Sequence, residues 1–118
     1  MDERRFRRIT FATKIELVTG PRRQSCQLLD IALKGALLES AEPLPLPLGT
    51  RAQLILTLPD SEIVLEFDAE LVHREENHLG FEFIHEDLQT LTHLRTLLEL
   101  NTGDPEGIRS ELLTWLKG

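Results

Sequence analysis

The chain has 118 residues, 41% hydrophobic and 28% charged, with a formal net charge of −7. This length supports one hydrophobic core. The acidic balance disfavours a protein that coats long DNA or an anionic membrane, and no apolar run approaches the ~20 residues a bilayer span needs.

The charge is unevenly placed. Residues 1–23 hold seven basic and three acidic side chains, a net of +4, whereas residues 24–118 carry −11. Four of the cations form the segment Arg4-Arg5-Phe6-Arg7-Arg8. Residues 1–9 are therefore expected to be a charged, mobile arm. Its charges are not followed by an apolar stretch, so a secretory signal is not expected. A concentrated cation on an anionic molecule suits a small, multiply charged anion better than an extended polyanion.

From Thr10 the pattern has period two, with Phe11, Thr13, Ile15 and Leu17 on one face, as in a half-buried strand. Gly20-Pro21 marks a turn. A second strand is predicted from about Arg22 to Asp30 and a short third one from Gly35 to Glu39. Cys26 falls in the second. It is the only cysteine, which excludes an internal disulfide and fits a reducing cytoplasm. With no activating neighbour in sequence it reads as a structural thiol.

Residues 41–49, Ala-Glu-Pro-Leu-Pro-Leu-Pro-Leu-Gly, place proline at every second position and cannot form a central strand. Their alternate leucines predict an extended connection packed over the core. Alternation returns with Ala52, Leu54, Leu56 and Leu58, and again with Ile63, Leu65, Phe67, Ala69 and Leu71 beyond a turn at 59–61. The outer positions of the latter strand, Glu62, Glu66, Asp68 and Glu70, are acidic. A turn near Asn77-His78 precedes a last strand with Leu79, Phe81 and Phe83 inward. Six strands joined mostly by short turns predict an antiparallel barrel or sandwich over residues 10–86.

After Asp87, a candidate N-cap, the period lengthens: Leu88, Leu91, Leu94, Leu97 and Leu98 fit a helix that ends at Asn101-Thr102-Gly103. Asp104 and Pro105 open a second helix, with Ile108, Leu112, Trp115 and Leu116 as its apolar stripe. Trp115, at helical spacing with leucines, reads as a packing residue. Residues 87–118 thus form helices expected to pack on the barrel, one domain overall.

Two segments carry chemistry. One is the arm, Arg4-Arg5-x-x-Arg8. The other is Asp30-Ile31-Ala32-Leu33-Lys34-Gly35, at the junction of two strands. In this order, roughly two dozen residues apart, they resemble the signature of the PilZ domain family: an Arg-Arg-x-x-x-Arg or Arg-x-x-x-Arg arm, then Asp or Asn-x-Ser-x-x-Gly. The strand count, the Leu79-Gly80-Phe81-Glu82-Phe83 strand and the leucine-rich helices extend the resemblance over essentially the full length.

The resemblance implies a six-stranded antiparallel β-barrel with C-terminal α-helices that binds the bacterial second messenger cyclic di-GMP. It implies a receptor and not an enzyme. The matching ligand-binding positions are Arg4, Arg5, Arg8, Asp30, Ala32 and Gly35, with Arg7, His73 and Arg74 as weaker candidates. In the family the ligand is often bound as an intercalated pair.

The residues themselves suit such a ligand. The planar fork of arginine pairs bidentately with phosphate or with the O6 and N7 of guanine, and stacks on a base face. Asp30 can accept from guanine N1–H and N2–H₂, and Gly35 permits positive φ or close backbone approach. Ala32 departs from the family's serine, and loss of one hydrogen bond, about 0.5–1.5 kcal/mol, would weaken binding about two- to tenfold.

No cofactor, nucleic acid, metal or membrane insertion is expected. His73, His78, His85 and His93 lack zinc-site spacing, and no phosphate loop or nucleophile–base arrangement is present. The expected partners are cyclic di-GMP and a downstream protein that the sequence does not identify, with the chain itself a cytoplasmic monomer. The alternative is a degenerate PilZ domain that serves as a protein–protein adaptor without binding nucleotide, a reading that Ala32 favours.

Overall fold

The computed structural model describes residues 9–58, 61–85 and 88–117, and the side chains within 13–58, 61–84 and 90–111. Six strands come first: β1 (Ile9–Thr19), β2 (Arg22–Ile31), β3 (Gly35–Glu39), β4 (Arg51–Thr57), β5 (Val64–Glu75) and β6 (His78–His85). Two helices follow, α1 (Leu88–Thr102) and α2 (Pro105–Lys117). All strand pairs are antiparallel, and the order β1-β2-β3-β6-β5-β4 closes into a barrel through a short β1–β4 ladder. Three registers, from Glu16↔Ile55 to Val18↔Gln53, make that closure.

Period-two burial fills the barrel. Ile15, Leu17, Leu28, Leu38, Leu54, Leu56, Leu65, Leu71 and Leu79 point inward and expose at most 2% of their surface. The Phe67 and Phe83 rings stack at 4.2 Å between centroids, an arrangement that adds roughly 0.5–1.5 kcal/mol beyond burial. Small barrels have no lumen; side chains fill it.

The helices belong to the same core. Leu94, Leu98 and Ile108 are fully buried within the cluster formed by the barrel residues. Gly103 ends α1 in the left-handed region, φ 69°, and its N–H donates to the Glu99 carbonyl at 3.0 Å. The Asp104 carboxylate accepts from the Gly107 N–H at 3.1 Å, capping α2 as expected. Asp87 and the side chains of Leu88, Leu112, Trp115 and Leu116 lie outside the described residues.

The proline-rich connection behaves as expected at two of its three leucines. Leu44 and Leu46 pack against the core, but Leu48 is 63% exposed. The turn between β5 and β6 falls at Glu76-Asn77, one residue earlier than predicted, with Glu76 at φ 55°. Asn77 Nδ2 donates to the carbonyls of Ser40 and Ala41 at 3.2 and 3.3 Å, which ties the turn to the start of the connection.

Candidate functional site

Strand pairing aligns one row of residues across five adjacent strands: Thr10, Asp30, Leu37, Gly80 and His73. The Asp30, Leu37 and His73 side chains lie outside the barrel core. Adjacent strands are about 4.8 Å apart, so Asp30 and His73 are roughly 14 Å apart along this row. A bulge between Leu71 and His73 restores the register after the extra residue Val72, which is left 49% exposed. Above the row lies an open cavity of about 630 Å³, walled by Asp30, Lys34, Leu37, His73 and Glu82.

Two glycines shape its floor. A Cβ on Gly35 would collide with the carbonyl oxygen of Phe81, and the backbone, not a mobile side chain, is in the way. Gly35 therefore serves close strand approach; it is not among the positive-φ residues. The Lys34 carbonyl accepts from Phe83 N–H at 2.6 Å, binding the turn to β6. On Gly80 a Cβ would stand 3.1 Å from the His73 Cβ, so the bare glycine leaves room beside the imidazole.

Asp30, Gly35 and His73, three of the candidate ligand residues in the sequence, line this one cavity. Ala32 is close in sequence but fully buried, and its methyl is not part of the cavity wall. Its N–H donates to the Gly35 carbonyl at 2.8 Å and closes the turn. A hydroxyl at this position would start from a site with no exposed surface.

Arg74 is elsewhere. Its guanidinium donates to the Leu46 carbonyl at 2.7 Å and does not line the cavity. Its partner in the structure is the proline-rich connection. Arg4, Arg5, Arg7 and Arg8 lie outside the described residues.

Lys34 and Glu82 were missed. Both line the cavity, and Lys34 Nζ stands 3.4 Å from a Glu82 carboxylate oxygen. In sequence, Lys34 is an unspecified position of the motif and Glu82 one outward residue of an alternating strand. Nothing in one sequence marks either.

The described wall holds two carboxylates, Asp30 and Glu82, and one ammonium, Lys34. With His73 neutral its net charge is −1, so these residues alone do not balance a dianion. Among the described residues no three His, Cys, Asp or Glu side chains group to hold a metal. No helix among them is long and apolar enough to cross a membrane.

The model of the PilZ domain matches residues 2–100. Three solved structures share the fold at low identity. The PilZ domain of CeSA from a cellulose-synthesizing bacterium is 18% identical, with a TM-score of 0.63 over 82% of this chain and 96% of that one. The protein YcgR from Escherichia coli, solved in complex with c-di-GMP, is 20% identical with a TM-score of 0.68 over 93% of this chain. The Bacillus subtilis inhibitor of motility MotI/DgrA is 17% identical with a TM-score of 0.67 over 80%. The chain spans only 50% and 48% of the lengths of these last two. PilZ domains are a regulatory, non-catalytic fold, and with the family model covering most of its length this chain belongs to the PilZ domain family.

Proposed function

We propose that the protein is a cytoplasmic receptor for cyclic di-GMP whose arginine arm closes over the ligand on the Asp30–His73 row. The observation that carries this reading is the register at the start of β1. Ile9 pairs with Ile31 and Thr10 with Asp30, so the arm enters the barrel beside the motif that walls the cavity. Arg8 directly precedes Ile9, and Arg4 lies five residues before it. An extended chain covers about 3.3–3.6 Å per residue, which gives the arm up to roughly 18 Å of reach. That matches the roughly 14 Å between Asp30 and His73.

Charge supports the same division of labour. The described wall is net −1 and the ligand carries two phosphates, so cations must come from elsewhere in the chain. Arg4, Arg5 and Arg8 supply them, with Arg7 beside them. Ordering six arm residues costs roughly 6–12 kcal/mol. Six charge-assisted hydrogen bonds from three arginines, at about 1.5–3 kcal/mol each, offset that. Four such bonds would only break even, at about 6–12 kcal/mol, so a ligand whose two phosphates and two guanines can engage more of them suits this arm. Ordering of the arm then changes shape and charge at one end of the barrel, where a downstream protein can read it.

Calorimetric titration with cyclic di-GMP tests the proposal. The wild type is expected to give saturable heat, and Arg4→Ala/Arg8→Ala to lose about a hundredfold or more in affinity. Equal heats from both proteins would overturn the arm's role. A flat titration of folded wild type would leave the adaptor reading in its place.

A further inference from the structure

We infer that Lys34 and Glu82 act as one unit that reads the Watson–Crick edge of a purine and selects guanine over adenine. The inference rests on the proposed receptor reading and adds two residues that the family motif leaves unspecified.

The geometry begins with a second cross-strand row: Gly35 on β3, Glu82 on β6, Glu70 on β5 and Arg51 on β4. Glu82 therefore stands between a glycine and another carboxylate. Like charges directly opposite each other repel, and Glu70 has its own cation in Arg51, 3.6 Å away. On the other side Gly35 offers no side chain, and Lys34 attracts the carboxylate at 3.4 Å. Both influences turn Glu82 toward the cavity. The pair is accessible there, with Lys34 40% and Glu82 51% exposed.

An ammonium beside a carboxylate is a donor next to an acceptor. Guanine presents the complement: O6 accepts, and N1–H and N2–H₂ donate side by side. Lys34 can donate to O6 while the two oxygens of Glu82 accept from N1–H and N2–H₂. Adenine reverses the pattern, with an amino donor facing Lys34 and the N1 lone pair facing Glu82. Both of its contacts are repulsive. A site built for hydrogen bonding rejects such an analogue more strongly than shape alone allows. Asp30, in the neighbouring row, offers the other carboxylate of the wall, so a ligand with two guanines finds an acceptor for each.

The test compares cyclic di-GMP with cyclic di-AMP, which has the same charge and backbone. Both are titrated against the full chain as wild type, Glu82→Gln and Lys34→Met, with thermal melts to confirm folding. The glutamine variant is expected to lower the preference for cyclic di-GMP at least about tenfold, through weaker guanine and stronger adenine binding. Lys34→Met removes the O6 donor and is expected to lower it in the same direction. A preference unchanged within twofold in both variants, with wild type still binding, would overturn this assignment and leave the receptor reading intact. If wild type binds neither nucleotide, the receptor reading fails and takes this inference with it.

Discussion

Arg74 donates to the Leu46 carbonyl oxygen at 2.7 Å, and so fixes the proline-rich connection to β5 directly beside His73, which lines the cavity over the Asp30–His73 row. Arg74 pairs with Leu79, which points into the barrel. Its guanidinium thus lies over the barrel's end, where Leu44 and Leu46 cover the core. Arg74→Ala removes that clamp. The expected loss is about 1 kcal/mol, below the range for buried charged hydrogen bonds because the group is exposed. A thermal melt should fall by a few degrees. Affinity for cyclic di-GMP should stay within twofold, a result that would separate Arg74 from the ligand site; a tenfold loss would return it there.

Gly35 answers to geometry of a different kind. Its missing Cβ lets β3 lie against the backbone of β6 at Phe81 and Glu82. Gly35→Ala sets a methyl against a carbonyl that the barrel holds in place, so strain of about 1–3 kcal/mol or more is expected. The urea midpoint should drop, and nucleotide binding should weaken with the displaced turn. For Gly80→Ala the nearest atom is the His73 Cβ at 3.1 Å, and a smaller shift of the midpoint is expected. Equal midpoints for Gly35→Ala and wild type would show that the strands separate at little cost.

Much of this architecture was legible in the chain because its strands are half-buried. The alternation around Leu65, Phe67 and Ala69 marks β5 directly, and Gly35–Glu39 has the same limits in structure as in sequence. A barrel was expected from the strand count and the family resemblance, but which strands close it was not legible. The β3–β6 and β1–β4 pairs join strands distant in sequence, and no local pattern encodes them. Leu48 shares the spacing of Leu44 and Leu46 yet stays in solvent; spacing alone does not show where the connection leaves the core. At the site, Asp30 and Gly35 were readable through the motif. Glu82 was not, since an outward glutamate on an antiparallel strand ordinarily faces solvent. Only the pairing with Gly35 and the bulge at Val72 turn that position into a cavity wall.

The helices can be tested as part of the core. Leu98 is fully buried, whereas Leu100, two residues on, is 78% exposed. Leu98→Ala is expected to cost about 2–5 kcal/mol, the transfer term plus a cavity against the barrel. Leu100→Ala should fall within about 0.5 kcal/mol of wild type. Chemical denaturation of the two variants measures the contrast. Equal and small losses would mean that α1 contributes little to the stability of the barrel it packs against.

Cys26 supplies a pH-dependent prediction. It is buried on the core side of β2, and desolvation pushes its thiol above the ordinary value of 9.0. The unfolded chain therefore releases this proton first as pH rises. Stability due to the thiol is intact below pH 9.0 and declines as pH climbs through that value toward the higher folded-state one. Urea midpoints at pH 8 and pH 10 should thus differ more for wild type than for Cys26→Ala. Alkylation of the native protein at pH 8 should be slow and should accelerate sharply in denaturant, because the thiolate is the nucleophile and the fold withholds it. Rapid labelling of the native thiol, or an identical pH dependence in the two proteins, would contradict this account of its environment.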